Sequence, residues 1–178
     1  MKTALLLGVD AKLASFLAGQ LGQYGPVLRV QLDSGDVAGS AEPAYLLLRS
    51  DRVRSFDLPD APVILGGGVR RPLGELSCAC CLLDSAARRA PQLAMRLGLP
   101  ALTCGLRSTD CFTFSSMDDT GGVFYVQRPV RTLSGEYLEP FEKPVPNLRL
   151  TPQNATAHLL VCALLTLWGQ WPVPPAHP

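Results

Sequence analysis

Charged side chains are scarce in this sequence. Asp, Glu, Lys and Arg make up 17% of its 178 residues, whereas globular proteins typically have about 25%. A low charge fraction leaves less polar surface to face water, which favours either extensive burial or an apolar patch that a partner covers. The composition therefore predicts a homo-oligomer or a complex with a protein partner.

The charges that are present favour neither sign. The chain has 16 Lys and Arg against 15 Asp and Glu, for a net charge of +1. A nucleic-acid-binding surface requires a clearly basic stripe, so we expect no nucleic-acid partner. The adjacent arginines at 70–71 and 88–89 are expected on solvated surfaces.

Long apolar runs are also missing. No stretch approaches the roughly 18 uninterrupted apolar residues of a membrane-spanning helix, and the longest candidate, residues 155–168, contains His158. The apolar run at 4–9 is too short for a secretion signal and is followed by Asp10 and Lys12. We therefore expect a cytoplasmic protein with no membrane partner.

Histidine is nearly absent, since the chain has only His158 and His177. Six cysteines are present: Cys78, Cys80, Cys81, Cys104, Cys111 and Cys162. Without an export signal a disulfide framework is not expected, and the spacing at 78–81 is not that of a zinc site. We predict packed thiols, no metal and no cofactor.

The first residues follow a β-α-β pattern. Residues 3–9 form a Leu-rich run typical of a strand that is buried on both faces. Asp10 can cap a helix over 11–21, which Gly22 would end, and residues 27–32 form a second strand. This order predicts parallel strands joined by a right-handed crossover.

Apolar runs predict four more strands, at residues 44–48, 62–65, 78–83 and 100–104. Ser85 is predicted to cap a helix over residues 86–97. The segment at 33–43 is predicted as a loop and the polar segment at 51–60 as irregular, and the segment at 139–147 is rich in proline. A last helix is predicted from residue 151 or 152 to residue 168.

From residue 110 the pattern becomes antiparallel. Residues 110–117 and 122–128 alternate with period two around a turn at 118–121, which indicates a hairpin. Two shorter antiparallel pieces follow at 130–133 and 135–138.

These elements predict a three-layer α/β fold, with a mostly parallel sheet, helices on both faces and an appended antiparallel β-hairpin section. We predict a single domain over residues 1–170. It comprises an α/β layer (1–105), a hairpin insertion (106–150) and a closing helix (151–169), followed by a proline-rich tail (171–178).

Three short motifs carry a family resemblance. Residues 81–85 (Cys-Leu-Leu-Asp-Ser) end a buried strand, Thr103-Cys104-Gly105 end the next one, and Asn154 begins the Ala/Leu-rich last helix. In this order the chain from about Cys80 to Gly169 resembles the latter half of the central, ATP-binding domain of the Mur ligases. That family builds the peptide of bacterial peptidoglycan.

The sequence departs from that family where ATP is used. Its first strand ends in Gly-Val-Asp-Ala-Lys at 8–12, without the second glycine and the Lys-Thr pair of a Gly-x-x-Gly-Lys-Thr/Ser phosphate loop. Pro146 replaces the family's His before Asn, and neither the Mg²⁺-binding carboxylate nor the C-terminal ligase domain has a counterpart. The resemblance therefore implies a non-catalytic binding or assembly module with a link to cell-envelope metabolism.

Two glycine-containing turns are candidate ligand sites. Gly8 and Asp10 stand where a strand meets a helix N-terminus, a position that favours anions. The residues Gly66, Gly67 and Gly68 precede Arg70; glycines let a backbone approach a phosphate and arginine supplies paired donors. The alternatives are a tight capped turn and a flexible surface loop.

Four further residues complete the predicted ligand-binding set: Thr103, Gly105, Ser116 and Asn154. The predicted ligand is an anionic small molecule such as a nucleotide-sugar, and no catalytic residue is predicted. Two alternatives stay open. One is a small enzyme whose site is assembled from dispersed residues such as Asp10, Asp84, Cys104 and Ser116, and the other is a purely structural oligomeric subunit.

Overall fold

A computed structural model describes residues 1–69 and 74–172. In chain order its strands are β1 (Lys2–Leu7), β2 (Val27–Gln31), β3 (Asp36–Gly39), β4 (Tyr45–Ser50), β5 (Phe56–Leu65), β6 (Leu76–Asp84), β7 (Ala101–Cys104), β8 (Phe112–Asp118), β9 (Gly121–Val126), β10 (Val130–Arg131), β11 (Tyr137–Leu138) and β12 (Phe141–Pro146). The helices within these ranges are α1 (Ala11–Leu21), α2 (Ala90–Arg96) and α3 (Ala155–Leu167).

The central sheet has ten strands in the order β12-β9-β8-β7-β6-β5-β1-β4-β2-β3, and β10 pairs with β11 in a small separate sheet. The neighbouring strands in the middle of this order all pair in parallel; they are β8, β7, β6, β5, β1, β4 and β2. At one edge β3 is antiparallel to β2, and at the other β9 and β12 are antiparallel additions. The predicted mostly parallel sheet with an appended hairpin section is confirmed.

Alternating residues of β1 separate the two faces of the sheet. Ala4 and Leu6 belong to a core that includes α1 and α3, whereas Leu5 and Leu7 belong to a second core that includes α2. Helices therefore cover both faces, and the predicted three layers are present.

Helix α1 follows the sequence prediction closely. The Asp10 carboxylate accepts a hydrogen bond from the Leu13 amide at 2.8 Å, which caps the helix as expected. Leu17 and Leu21 lie on its inner face and have no exposed surface. Helix α3 is instead buried almost all round, as expected of a helix that is apolar on every side.

Helix α2 is shorter than the predicted helix over 86–97, because it begins at Ala90. The Ser85 hydroxyl does not cap it; this hydroxyl donates to the Asp110 carboxylate at 3.1 Å. Pro91 stands in the first turn, where its missing N–H leaves no helical hydrogen bond unmade.

The predictions of a loop at 33–43 and of irregular structure at 51–60 were wrong, because these segments contain β3 and the first half of β5. The proline-rich segment at 139–147 contains β12. Strands β3 and β12 are at the edges of the sheet. An edge strand pairs with a neighbour on one side only, so it can contain glycine and proline. Strand β5 is interrupted by a shift of register between Leu58 and Pro62.

The last helix begins at Ala155 and not at residue 151 or 152. A turn precedes it, in which the Asn154 side chain accepts a hydrogen bond from the Thr151 amide at 2.8 Å. Farther on, the Trp171 ring packs against Phe141 and beneath the Lys143 ammonium, which lies 3.0 Å from the ring centroid. The rest of the predicted tail, residues 173–178, lies outside the described residues.

Candidate functional site

The carboxyl ends of four neighbouring strands, β1, β4, β5 and β6, border a cleft of about 450 Å³. Ligands of open α/β sheets bind at this end of the strands. The lining includes five of the residues that the sequence singles out: Gly8, Asp10, Gly66, Gly67 and Gly68. The fold therefore brings the two predicted glycine-containing turns together in one place.

The loops after β1 and β5 interlock through their backbones. The Gly66 amide donates to the Leu7 carbonyl at 2.8 Å, and the Gly68 amide donates to the Gly8 carbonyl at 2.9 Å. The Gly8 amide in turn donates to the Ser50 carbonyl at 2.8 Å. These three amides are therefore engaged within the protein and are not free to bind a phosphate.

Two of these glycines are required by close packing. Gly8 has φ +65°, a left-handed conformation that favours glycine. A Cβ on Gly66 would collide with the Gly8 carbonyl oxygen and would lie 2.7 Å from the carbonyl carbon. The glycines at these positions thus serve the contact between the loops.

Gly67 differs from its neighbours. A Cβ placed on it would meet no heavy atom within 4 Å, and the residue lines the cleft. A side chain at this position would therefore extend into open space without displacing the backbone.

The charged residues of the described lining are three aspartates, Asp10, Asp51 and Asp84, and one arginine, Arg49. The Arg49 side chain is committed to the protein: it donates to the Val9 carbonyl at 2.7 Å and lies 3.6 Å from the Asp51 carboxylate. The described walls are therefore acidic on balance. They offer acceptors for hydroxyl groups more readily than partners for phosphate.

Arg49 and Asp51 were missed by the sequence analysis. They follow the apolar run at 44–48, just as Asp10 follows the first strand. Polar residues at the end of each predicted parallel strand are the signal that could have found them, because those ends meet at one edge of the sheet. Arg70 lies outside the described residues, so its predicted role stays a prediction.

Thr103 and Gly105 lie at the end of β7, outside the residues that line the cleft. The Thr103 hydroxyl accepts a hydrogen bond from the Cys111 amide at 3.1 Å. A Cβ on Gly105 would collide with the Ser85 hydroxyl and lie 2.5 Å from an Asp110 carboxylate oxygen. Both residues thus hold the connection between β7 and β8.

Ser116 and Asn154 also lie outside the cleft lining. Ser116 is exposed on β8 of the hairpin. The Asn154 amide group donates to the Arg149 carbonyl at 2.9 Å, so its side chain closes the turn before α3. The structure therefore does not gather these two residues with the glycine turns.

The cysteines are not placed as nucleophiles. Cys104 has no exposed surface, and burial raises the pKa of its thiol well above the ordinary value. Burial likewise raises the pKa of Cys80 and of Cys162 to about 12. Because the thiolate is the reactive form, these thiols act as core side chains, in agreement with the sequence prediction.

Within residues 1–69 and 74–172, no three His, Cys, Asp or Glu side chains are grouped as a metal site requires. The same ranges contain no helix with the length and apolar character needed to cross a membrane.

The burial of His158 is expected to make the stability of the protein depend on pH. Its side chain is 6% exposed and meets the edge of the Phe16 ring, with centroids 4.8 Å apart. Burial lowers its pKa below the ordinary 6.5, so the unfolded chain takes up this proton more readily than the folded one. The contribution of the neutral, buried His158 to the free energy of unfolding is therefore fully present above about pH 6.5. It is lost as the pH falls from there through the lowered pKa of the folded state.

Urea unfolding of the wild type and of His158→Gln, on both sides of that pH, checks this prediction. The variant should lose less of its free energy of unfolding on acidification than the wild type does. Equal losses in the two proteins would show that His158 does not contribute.

The fold is a Mur-ligase-like α/β fold. A similar solved structure is MurF from Acinetobacter baumannii, with a TM-score of 0.52 and 10% identity over 96% of this chain and 43% of that chain. Another is the UDP-N-acetylmuramoylalanyl-D-glutamyl-2,6-diaminopimelate–D-alanyl-D-alanyl ligase of the same organism, with a TM-score of 0.53 and 10% identity over 96% and 44%.

At this identity the likeness is one of fold, and the chain spans less than half the length of these ligases. No protein-family model matches the sequence. No curated protein matches it either.

Proposed function

We propose that this chain is a non-catalytic, Mur-ligase-like binding module whose ligand occupies the cleft at the carboxyl ends of β1, β4, β5 and β6. The observation that carries the proposal is the convergence of Gly8, Asp10 and the glycines at 66–68 on one cleft of about 450 Å³. That volume lies within the range of small-molecule sites.

A nucleotide-sugar is the ligand class that the sequence predicts, and its hydroxyl groups are the part that matches the described lining. The carboxylates of Asp10 and Asp84 can accept hydrogen bonds from ribose or sugar hydroxyls. The N-terminus of α1 is already capped by the Asp10 carboxylate, whose charge opposes a second anion there. Binding of the diphosphate therefore depends, in this proposal, on Arg70.

The non-catalytic part of the proposal is supported by the side chains of the cleft. Its described lining includes no Lys, His, Ser, Thr or Cys, so hydroxyl, thiol, amine and imidazole nucleophiles and the lysine of a phosphate loop are not among them, and its reactive groups are carboxylates. Of the dispersed residues considered for a small enzyme, Asp10 and Asp84 line the cleft, whereas Cys104 and Ser116 do not. The proposed setting is the bacterial cytoplasm, within cell-envelope metabolism.

A blocking variant tests the proposal. Thermal shift and calorimetry with a UDP-sugar, with UDP and with the free sugar should show that the UDP-sugar stabilises the wild type. A ligand at 100 times its Kd adds about 2.7 kcal/mol to the free energy of unfolding. Gly67→Phe should abolish this stabilisation, because Gly67 lines the cleft and a Cβ at this position is accommodated without moving the backbone, so that the added ring competes with the ligand for space.

Gly67→Ala is the matched control and should keep most of the binding. Arg70→Ala should weaken binding of UDP and of the UDP-sugar but leave binding of the free sugar unchanged. The proposal is wrong if none of these compounds stabilises the wild type, or if Gly67→Phe binds the UDP-sugar as the wild type does.

A further inference from the structure

The two edges of the central sheet differ in how they are protected. Edge strand β12 has the sequence Phe-Glu-Lys-Pro-Val-Pro, in which Lys143, Pro144 and Pro146 are the residues that natural edges use against pairing with another chain. Proline also has no N–H to donate to an added strand. This edge is therefore poorly suited to further pairing.

Edge strand β3 is protected only by its short length and by the charge of Asp36. It consists of Asp36, Val37, Ala38 and Gly39, all four residues are exposed, and neither lysine nor proline is among them. The Val37 side chain is 64% exposed, although it is apolar. The unpaired backbone groups of such an open edge are a template for another strand.

The register of β3 on β2 determines which backbone groups are free. The Ser40 amide donates to the Val27 carbonyl at 3.0 Å, which makes these two residues a hydrogen-bonded pair. Hydrogen-bonded and non-bonded pairs alternate in an antiparallel ladder, so Ala38 and Asp36 also direct their backbone groups toward β2. Val37 directs its backbone groups away from the sheet, whereas Gly39, with φ +130°, departs from regular strand geometry.

We propose that β3 pairs in antiparallel fashion with β3 of a second copy of this chain, about a twofold axis at Val37. The two central sheets then form one continuous sheet. Backbone groups of Val37 in each copy bond each other. Gly39 stands opposite Gly35 of the other copy, whose amide already donates to the Gln31 carbonyl of its own chain at 2.8 Å, so the Val37 pair is the centre of the contact. A contact of this kind is isologous, because each copy contributes the same strand.

Charge complementarity selects a second copy as the occupant. With Val37 opposite Val37, Asp36 of one copy stands opposite Ala38 of the other, and Ala38 is in register with Arg29 on β2. Arg29, Asp36 and Ala38 line one recess of about 180 Å³ beside α1, so the three residues share a face.

The Asp36 carboxylate therefore faces Arg29 of the other copy across the small Ala38 side chain, and the twofold axis repeats this pair. Two strand spacings separate the paired residues by about 10 Å between Cα atoms, a distance that an arginine and an aspartate side chain span together. Both residues are exposed in the single chain. The Asp36 carboxylate accepts from the Ser34 hydroxyl and the Arg29 guanidinium donates to the Ser15 hydroxyl, and neither of these neutral partners compensates the charge.

The other symmetric register lacks this complementarity. With Val37 opposite Gly39, Asp36 would stand opposite Ser40 and next to Val27, and no basic side chain would face the carboxylate. On the opposite face of the sheet the proposed register brings the two exposed Val37 side chains together. An unrelated extended peptide could bond to the free backbone groups but would not supply the reciprocal Asp–Arg pairs.

A charge exchange tests the proposal. Sedimentation velocity should show the wild type as a concentration-dependent dimer. Asp36→Arg and Arg29→Asp should each raise the dimer Kd about tenfold or more, because each places like charges together twice. Equal amounts of the two variants should form a heterodimer, since the arginine introduced in one variant then faces the aspartate introduced in the other.

Glu142→Arg on β12 is the matched control, because it changes an exposed charge at the protected edge and should leave the dimer unchanged. Circular dichroism and thermal unfolding should show that every variant is folded. The proposal is overturned if the wild type is monomeric, if the single variants dimerise as the wild type does, or if the mixture forms no heterodimer. None of these residues is used by the proposed ligand cleft, so the two proposals fail separately.

Discussion

Replacing Phe124 by Ala is expected to lower the free energy of unfolding by about 3–5 kcal/mol. Phe124 has no exposed surface and lies at the centre of the aromatic cluster of the hairpin section. Its ring centroid is 5.9 Å from that of Phe112 and 6.4 Å from those of Phe114 and Phe141. Removing the ring leaves a cavity that these neighbours cannot close without distortion.

This variant also tests the prediction of a single domain over residues 1–170. Phe124 belongs to the same core as Leu17 of α1 and Leu164 of α3, although the three residues come from the hairpin section, the α/β layer and the closing helix. One cooperative transition is expected, and Phe124→Ala and Leu17→Ala should both lower its midpoint.

Urea unfolding followed by far-ultraviolet circular dichroism and by tryptophan fluorescence measures the effect. The two probes should report the same midpoint in the wild type and in both variants. Two separate transitions, with Phe124→Ala shifting only one of them, would show that the hairpin section unfolds independently.

The second large effect is expected at the interlocked glycines. Gly66→Ala should cost about 1–3 kcal/mol, because its Cβ cannot be placed without moving the Gly8 backbone. Gly67→Ala, one residue later, should stay within about 0.5 kcal/mol, because its Cβ enters open space.

Chemical denaturation of the two alanine variants in the absence of ligand makes the comparison. A Gly66→Ala protein as stable as Gly67→Ala would mean that the loops after β1 and β5 move apart easily. The contact between these loops would then not explain the glycines, and the result would favour the role in holding a ligand that the sequence predicts for them.

The local sequence pattern was enough to predict elements that have a clear side-chain periodicity. The Leu-rich first strand, the cap at Asp10 and the hairpin around 118–121 all occur as predicted. In each of them the periodicity of the side chains and one turn or capping residue agree, so no distant contact is needed to choose the structure.

The local sequence pattern did not predict elements whose conformation depends on a partner that is distant in the chain. Strand β12 contains Pro144 and Pro146, and its place depends on the pairing with β9. The start of α2 was mispredicted because Ser85 bonds to Asp110, which is 25 residues away. Neither partner can be recognised from the local sequence.

The candidate site was predicted in part. Gly8, Asp10 and the glycines at 66–68 do meet at one cleft, because they follow neighbouring parallel strands. Thr103 and Asn154 entered the prediction through short motifs, and the structure shows both of them in local hydrogen bonds.

The sequence by itself determined the class of fold. The alternation of apolar residues, the length of the apolar runs and the capping residues indicate the type and order of the helices and strands. Only the tertiary structure decided that β3 is an open edge and that Arg49 is held by Val9 and Asp51. It also decided that Gly66 is needed for contact with Gly8, whereas Gly67 faces open space. The physical reason is that strand order and loop contacts arise from packing between residues far apart in the chain, which local periodicity does not record.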